Sequence, residues 1–333
     1  MKKDLWKERQ KSMSKKWITL TAVSAISLIS LTACTDNTKI KEALEQSLTK
    51  QKEMKSYTFD GSTTLAISDG LMKSSNPLTN GLLSLVREST IDWKGISNVE
   101  PLQFQTDLKI TPKGSTSPFE IPILIKDSKL YFNMPALNKT PDEYYAIDLQ
   151  KMSQNSTSPL TVDTLKNTSQ LSTTLGNLIF SGIDPKWYKE AKEPVKLKDG
   201  SSAKSISVEL TTKNEKELNT LLQTKLPEFI GSLQNNGLLT ADKAEQLKKN
   251  QANALQLKAP GKMVVAIDDT GFIRDQTIDV GFTLTVDGKT QDNHILLHQT
   301  YDAINQAAPL TKEIPKNAKS FDEILKLITP AKK

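Results

Sequence analysis

The 333-residue sequence predicts an α+β fold built on antiparallel strands. Three observations carry that expectation. Apolar spacing changes from a helical to an alternating repeat near Met54, the segment Glu120–Met134 reads as a β-hairpin, and the composition suits sheets with one solvated face. Hydrophobic residues are 37% and aromatics only 6% of the chain. Such a chain buries one face of each sheet and leaves the other in water.

The elements follow in order. Lys39–Met54 is expected to be helical, because Ile40, Leu44 and Leu48 recur at i, i+4 and i+8. Tyr57, Phe59 and Gly61 then alternate with Thr58 and Asp60, and Leu65 and Ile67 extend the strand. Further strands are expected at Ser89–Ile96 and Pro101–Ile110. In the hairpin, Ile121–Ile125 and Leu130–Met134 flank the polar turn Lys126-Asp-Ser-Lys129, and Pro122 places the first strand at an edge or near its start. Tyr144–Leu149 adds another short strand.

Helical spacing returns over Val162–Phe180, which presents Leu165, Leu171, Leu175, Leu178 and Ile179. After a strand over residues 200–212, Asn214–Leu233 presents Leu218, Leu221, Leu222, Phe229, Ile230 and Leu233. Asn214 with Glu217 has capping-box spacing, and Pro227 is expected to kink or divide the helix. Asn235-Asn-Gly237 breaks it, and Thr240 caps a shorter helix over Ala241–Asn250. Lys262–Asp268, Phe272–Val286 and Thr290–Tyr301 form a meander, turned by Asp269-Thr-Gly271 and Asp287-Gly288. A last helix, capped by Ser320 with Glu323, is expected through Phe321–Ile328.

The N-terminus is built for export. Lys2, Lys3, Lys7, Arg9, Lys11, Lys15 and Lys16 precede the uncharged stretch Trp17–Leu31, and Leu31-Thr-Ala-Cys34 follows. This is the pattern of a secretory signal, and its apolar run is shorter than the roughly 20 residues a membrane-spanning helix needs. Leu-small-small-Cys matches a lipobox, with Cys34 as the lipidated residue. Met13 is an alternative start, since Met13-Ser-Lys-Lys already supplies positive charge. The expected organisation is a signal peptide at 1–33, a lipidated tether at 34–38 and one large domain over 39–333. A diacylglyceryl group on Cys34 supplies the two acyl chains that stable anchoring requires, on the extracytoplasmic face of the cell membrane.

Removing the signal changes what the charge means. Of 44 basic and 38 acidic side chains, seven and two lie in the first 33 residues, leaving 37 against 36, a net of +1. The pI near 9.0 therefore belongs to the signal and gives no reason to expect a nucleic-acid partner. With one cysteine in the chain, no intramolecular disulfide forms.

These features resemble a group of Gram-positive lipoproteins of unknown role, related in fold to the LolA and LppX/LprG carriers. The likeness rests on the lipobox, on the helix ending Met54-Lys-Ser-Tyr57, and on ILIKDSKLYFNMP followed by EYYAIDL. It implies a curled antiparallel sheet, an unclosed half-barrel, with helices covering its concave face and space for acyl chains between them.

Candidate chemistry is sparse. His294 and His298 would suit zinc on a helix, but on the expected strand they stand roughly 13 Å apart. Asp268-Asp269 precedes Gly271 in a turn, where aspartate is favoured by local hydrogen bonds. Asp142-Glu143 and Asp36 belong to no metal-binding or acid–base pattern, and Asn138, Asn155 and Asn167 open glycosylation-type triplets. Trp93 and Trp187 could mark a sugar platform, but a lone tryptophan is more often a core or rim residue. No nucleophile elbow, P-loop, EF-hand or penicillin-binding motif occurs, so neither an enzyme nor a cofactor is expected.

Helix faces remain. Leu175, Leu178, Leu218, Leu222, Phe229 and Leu233 pack on the sheet as core or line a cavity for a lipid or other apolar ligand. The other reading is a structural or sensory envelope protein that binds another protein. The anchor is directly testable: cells given labelled palmitate should label the wild-type chain, whereas Cys34→Ala should stay unlabelled and unprocessed. Equal labelling of both would refute the lipobox.

Overall fold

Successive side chains of a strand point to opposite faces, so pairing register decides which residues the sheet buries. The computed structural model describes residues 36–69, 77–135, 138, 140, 142–154, 165, 174, 176–236, 239, 241–251, 255–286 and 288–321. All but Asp36 belong to one compact unit, Asn37–Lys333.

A first meander comprises β1 (Ser56–Ala66), β2 (Ser89–Asn98), β3 (Gln103–Pro112), β4 (Phe119–Lys126), β5 (Lys129–Phe132) and β6 (Tyr144–Asp148). Two short strands, β7 (Tyr188–Glu190) and β8 (Val195–Lys196), pair with β9 (Ser202–Leu210). A second meander continues through β10 (Leu255–Ile267), β11 (Ile273–Val286) and β12 (Lys289–Asp302). β1 pairs with β12, which joins the two meanders into one sheet, and β13 (Ala318–Ser320) adds to β6 in parallel. The pairing path runs from β13 to β7 without returning, an unclosed half-barrel. All other pairings are antiparallel.

Register keeps one face apolar along this path. Phe59 stands opposite Tyr301, Ile278 opposite Leu297, Met263 opposite Ile278, and Val208 opposite Met263. In the other direction Phe104 faces Ile125, Ile123 faces Phe132, and Phe132 faces Tyr145. The helices stand on this face. Ile40, Leu44 and Leu48 of α1 (Asn37–Lys50) pack with Ile206, Val208, Met263, Val265 and Ile273. α2 (Pro77–Arg87) lies against β1, β2 and β3. At the far end α3 (Leu149–Gln154) begins at fully buried Leu149, which joins Ile125, Phe132, Tyr145, Ile147 and Phe321 with Leu165 against them. α4 (Glu215–Asn235) and α5 (Ala241–Gln251) share a small core of their own around Leu226, Ile230 and Ala244.

Several expectations change. Pro227 does not divide α4, which runs as one 21-residue helix. Its ring is exposed, so water can serve the carbonyl that the missing N–H leaves free. Asn214 precedes that helix but makes no capping hydrogen bond. Its buried amide instead accepts from the Thr211 backbone and hydroxyl and donates to the Glu209 carbonyl, bracing the chain as it leaves β9. Pro122 lies in an internal strand. It is tolerated because β5 pairs with β4 only from Ile123 onward. β10 begins seven residues before the expected Lys262, the early part hidden by Pro260 and Gly261 at a register shift. Ser320 sits in β13; the helix expected beyond Phe321, most of Val162–Phe180 and the whole signal lie outside the described residues.

The opposite face is polar. Asp60 accepts from the Thr300 hydroxyl at 2.6 Å, and Lys198 donates to both its carboxylate oxygens from the loop after β8. Burial pushes the Asp60 carboxyl up, but the hydrogen bonds from Lys198 and Thr300 and the Lys198 charge outweigh it and hold it below its ordinary value. A lowered folded-state pKa contributes stability that is present above the unfolded value, about 4, and lost as pH falls through the folded one. The melting temperature of wild type should therefore exceed that of Asp60→Asn at pH 6, with the gap closing toward pH 2–3. A gap independent of pH would contradict this role.

Candidate functional site

α4 forms because Leu, Lys, Glu and Gln dominate residues 215–226, all good helix formers. Its first turns are tied to β10 by polar bonds as well as by Leu218, which is buried in the sheet core with Val208, Leu210 and Met263. Glu215 accepts from the Ala259 N–H at 2.8 Å. Asn219 accepts from the Leu257 N–H at 2.7 Å and donates to the Leu257 carbonyl at 3.1 Å. These side chains satisfy the edge of β10 where its pairing with β9, which starts only at Gly261, is absent.

A second wall comes from the turn after the helical residues 176–180. Lys41 of α1 donates to the carbonyls of Ser181, at 2.6 Å, and Ile183, at 3.0 Å. Tyr188, 1% exposed, donates its hydroxyl to the Phe180 carbonyl at 2.6 Å. Burial pushes that phenol well above the usual tyrosine range, so it stays a donor. A Cβ at Gly182 would lie 2.2 Å from Leu221 Cδ1, so any larger residue here would have to turn the Leu221 side chain aside.

Between this turn, α4 and the sheet lies a cavity of about 240 Å³. α4 contributes Leu218, Leu221, Leu222 and Lys225, and the turn contributes Ile179, Phe180 and Ile183. The floor includes Val208, Leu257, Met263, Ile278 and Val280. Gly261 keeps the floor open: a Cβ there would crowd Leu210 and the Asp279 carbonyl at 3.2 Å. Among the described lining residues the charged ones are Lys225, Lys262 and Asp279. Lys262 and Asp279 oppose each other in the β10–β11 register.

Of the leucines expected to line a cavity, Leu218 and Leu222 do so. Leu178 is buried and borders a neighbouring polar groove instead. Phe229 packs in the α4–α5 core, because the helix stripe rotates from the sheet toward α5 after Lys225. Leu233 is half-buried further along that helix. Leu175 and Cys34 lie outside the described residues. The sheet floor was not foreseen, although Met263 and Val265, like Ile278 and Val280, alternate visibly in the sequence.

The remaining candidates have structural roles. His294 and His298 stand on β12, each bonded to its own carboxylate, Asp279 at 2.7 Å and Asp275 at 2.9 Å. Among the described residues no three His, Cys, Asp or Glu side chains gather as a metal site would require. Asp268 closes its turn by accepting from Thr270 and Phe272 and pairs with Arg274. Glu143 is buried and pairs with Lys319. Trp93 covers Gly61 and donates to Gln299 at 2.7 Å, whereas Trp187 borders the α1 core with its Nε1 buried and unpartnered.

No protein-family model matches the chain, and no curated protein sequence matches it. Among solved structures it is similar to LprF from Mycobacterium bovis, 15% identical with a TM-score of 0.38, over 84% of this chain and 97% of that one. It is also similar to a DUF1329 family protein from Desulfovibrio piger, 9% identical with a TM-score of 0.22, over 83% and 96%.

The bond pair at Asn219 sets how far α4 stands from β10. Asn219→Leu leaves the Leu257 N–H and carbonyl without partners, which should cost about 1–3 kcal/mol. Urea unfolding should show a lower midpoint at an unchanged slope; an unchanged midpoint would show that α4 is held by packing alone.

Proposed function

We propose that this chain is a membrane-anchored extracytoplasmic lipoprotein that binds an apolar ligand such as a lipid in the cavity under α4. The observation that carries the reading is the cavity itself: apolar on the helix, turn and sheet sides, beside the bonds that fix α4 to the β10 edge at Glu215 and Asn219. Each methylene moved from water into such a space contributes about 0.8 kcal/mol. Leu218 and Leu222 supply the helix side, and the tether at Cys34 keeps the site near its lipid source.

A saturable fluorescent fatty-acyl probe tests the site. Leu222→Trp places a larger side chain into the cavity and should weaken probe binding by about tenfold or more, with melting essentially unchanged. Leu233→Trp, beyond the cavity on the same helix, should bind as wild type does. If wild type binds no probe, or Leu222→Trp binds as well as wild type, the cavity is not the ligand site.

A further inference from the structure

The apolar cavity has a polar neighbour. A groove of about 530 Å³ lies between α1, α4 and the helical turn, lined by Glu45, Thr49, Lys52, Asn177, Glu228 and Ser232 among others. Lys225 lines this groove and the apolar cavity as well, and among the described residues it is the one common to the two linings. Its side chain is 32% exposed, and its ion pair is with Glu228, 3.4 Å away at i,i+3 on the solvent side of α4. Such a pair is long and screened, so it costs little to exchange for a ligand.

Resting on the cavity reading above, we infer that the ligand is a single-chain amphiphile with an anionic head, its chain under α4 and its head at Lys225. Three features support this. The cavity is smaller than the roughly 300–1,000 Å³ of most small-molecule sites, which suits one chain rather than two. Lysine is a compact cation on an apolar stem, so it can contribute methylenes to the cavity wall while its ammonium meets a head group outside. Glu45 and Glu228 line the groove but not the cavity, so a head at the seam meets the cation first.

A carboxylate and a monoester phosphate are the two anionic heads in question, from free fatty acids and from lysophospholipids. Calorimetry on the mature protein at pH 8 would compare decanoate, decanoyl lysophosphatidate and neutral decanol, with wild type and Lys225→Met. Methionine keeps the apolar stem and removes the charge. The expected result is that at least one anion binds wild type about tenfold more tightly than decanol. Lys225→Met should abolish that preference, bringing each anion to the affinity that the same variant shows for decanol. The tighter anion identifies the source. Equal affinity for decanol and both anions, or a preference that survives Lys225→Met, overturns the inference while the cavity reading stands. Failure of all three ligands to bind overturns both.

Discussion

The pairing of β1 with β12 holds the structure together. Thr58 to Ala66 lie opposite Asp302 to His294, so the two meanders become one sheet through strands over 220 residues apart in sequence. Without that ladder the β1–β6 and β9–β12 meanders would be separate ribbons, each with an exposed edge. Side chains reinforce it on both faces. On the apolar face Gly61 leaves room for the Trp93 ring, whose N–H reaches across to Gln299. Gln299 in turn donates to the Asp60 carbonyl, and on the polar face Asp60 gathers Thr300 and Lys198. A slip of one residue would break every one of these contacts and carry Phe59 and Tyr301 to the solvated side.

What was legible in the sequence follows from length and period. β1, β2, β3, β11 and β12 span ten residues or more, long enough for alternation to declare them. β7, β8 and β13 have two or three residues and no readable period, and they exist because a neighbouring strand offers an open edge. Pro227 misled because its penalty depends on which side of the helix it faces, and it faces water. Asn214 misled for a related reason: a residue that suits a cap also suits a buried brace, and burial chose the brace.

The site was half legible for a geometric reason. Apolar spacing along α4 is continuous, yet the helix serves two partners. Leu218, Leu221 and Leu222 face the sheet, whereas Leu226, Phe229 and Ile230 face α5. Lys225 falls where one stripe gives way to the other. A sequence reader scanning for leucines passes over it, although its i+3 and i+4 relation to Leu222 and Leu221 places it on their side of the helix.

That division also explains why a space persists beneath α4. A helix with an unbroken apolar stripe would settle onto the sheet and close it, since burial of facing leucines is favourable everywhere along the contact. Here the N-terminal turns are fixed to the β10 edge by Glu215 and Asn219, and the C-terminal half is engaged by α5. The segment between is spanned, like a beam on two supports, over a floor already irregular from the register shift between Lys258 and Lys262. Closing the gap would mean breaking the Asn219–Leu257 pair or stripping Leu226 and Ile230 from their own core. The first loss leaves buried polar groups without partners and the second gives up apolar contacts, so the space beneath the helix persists.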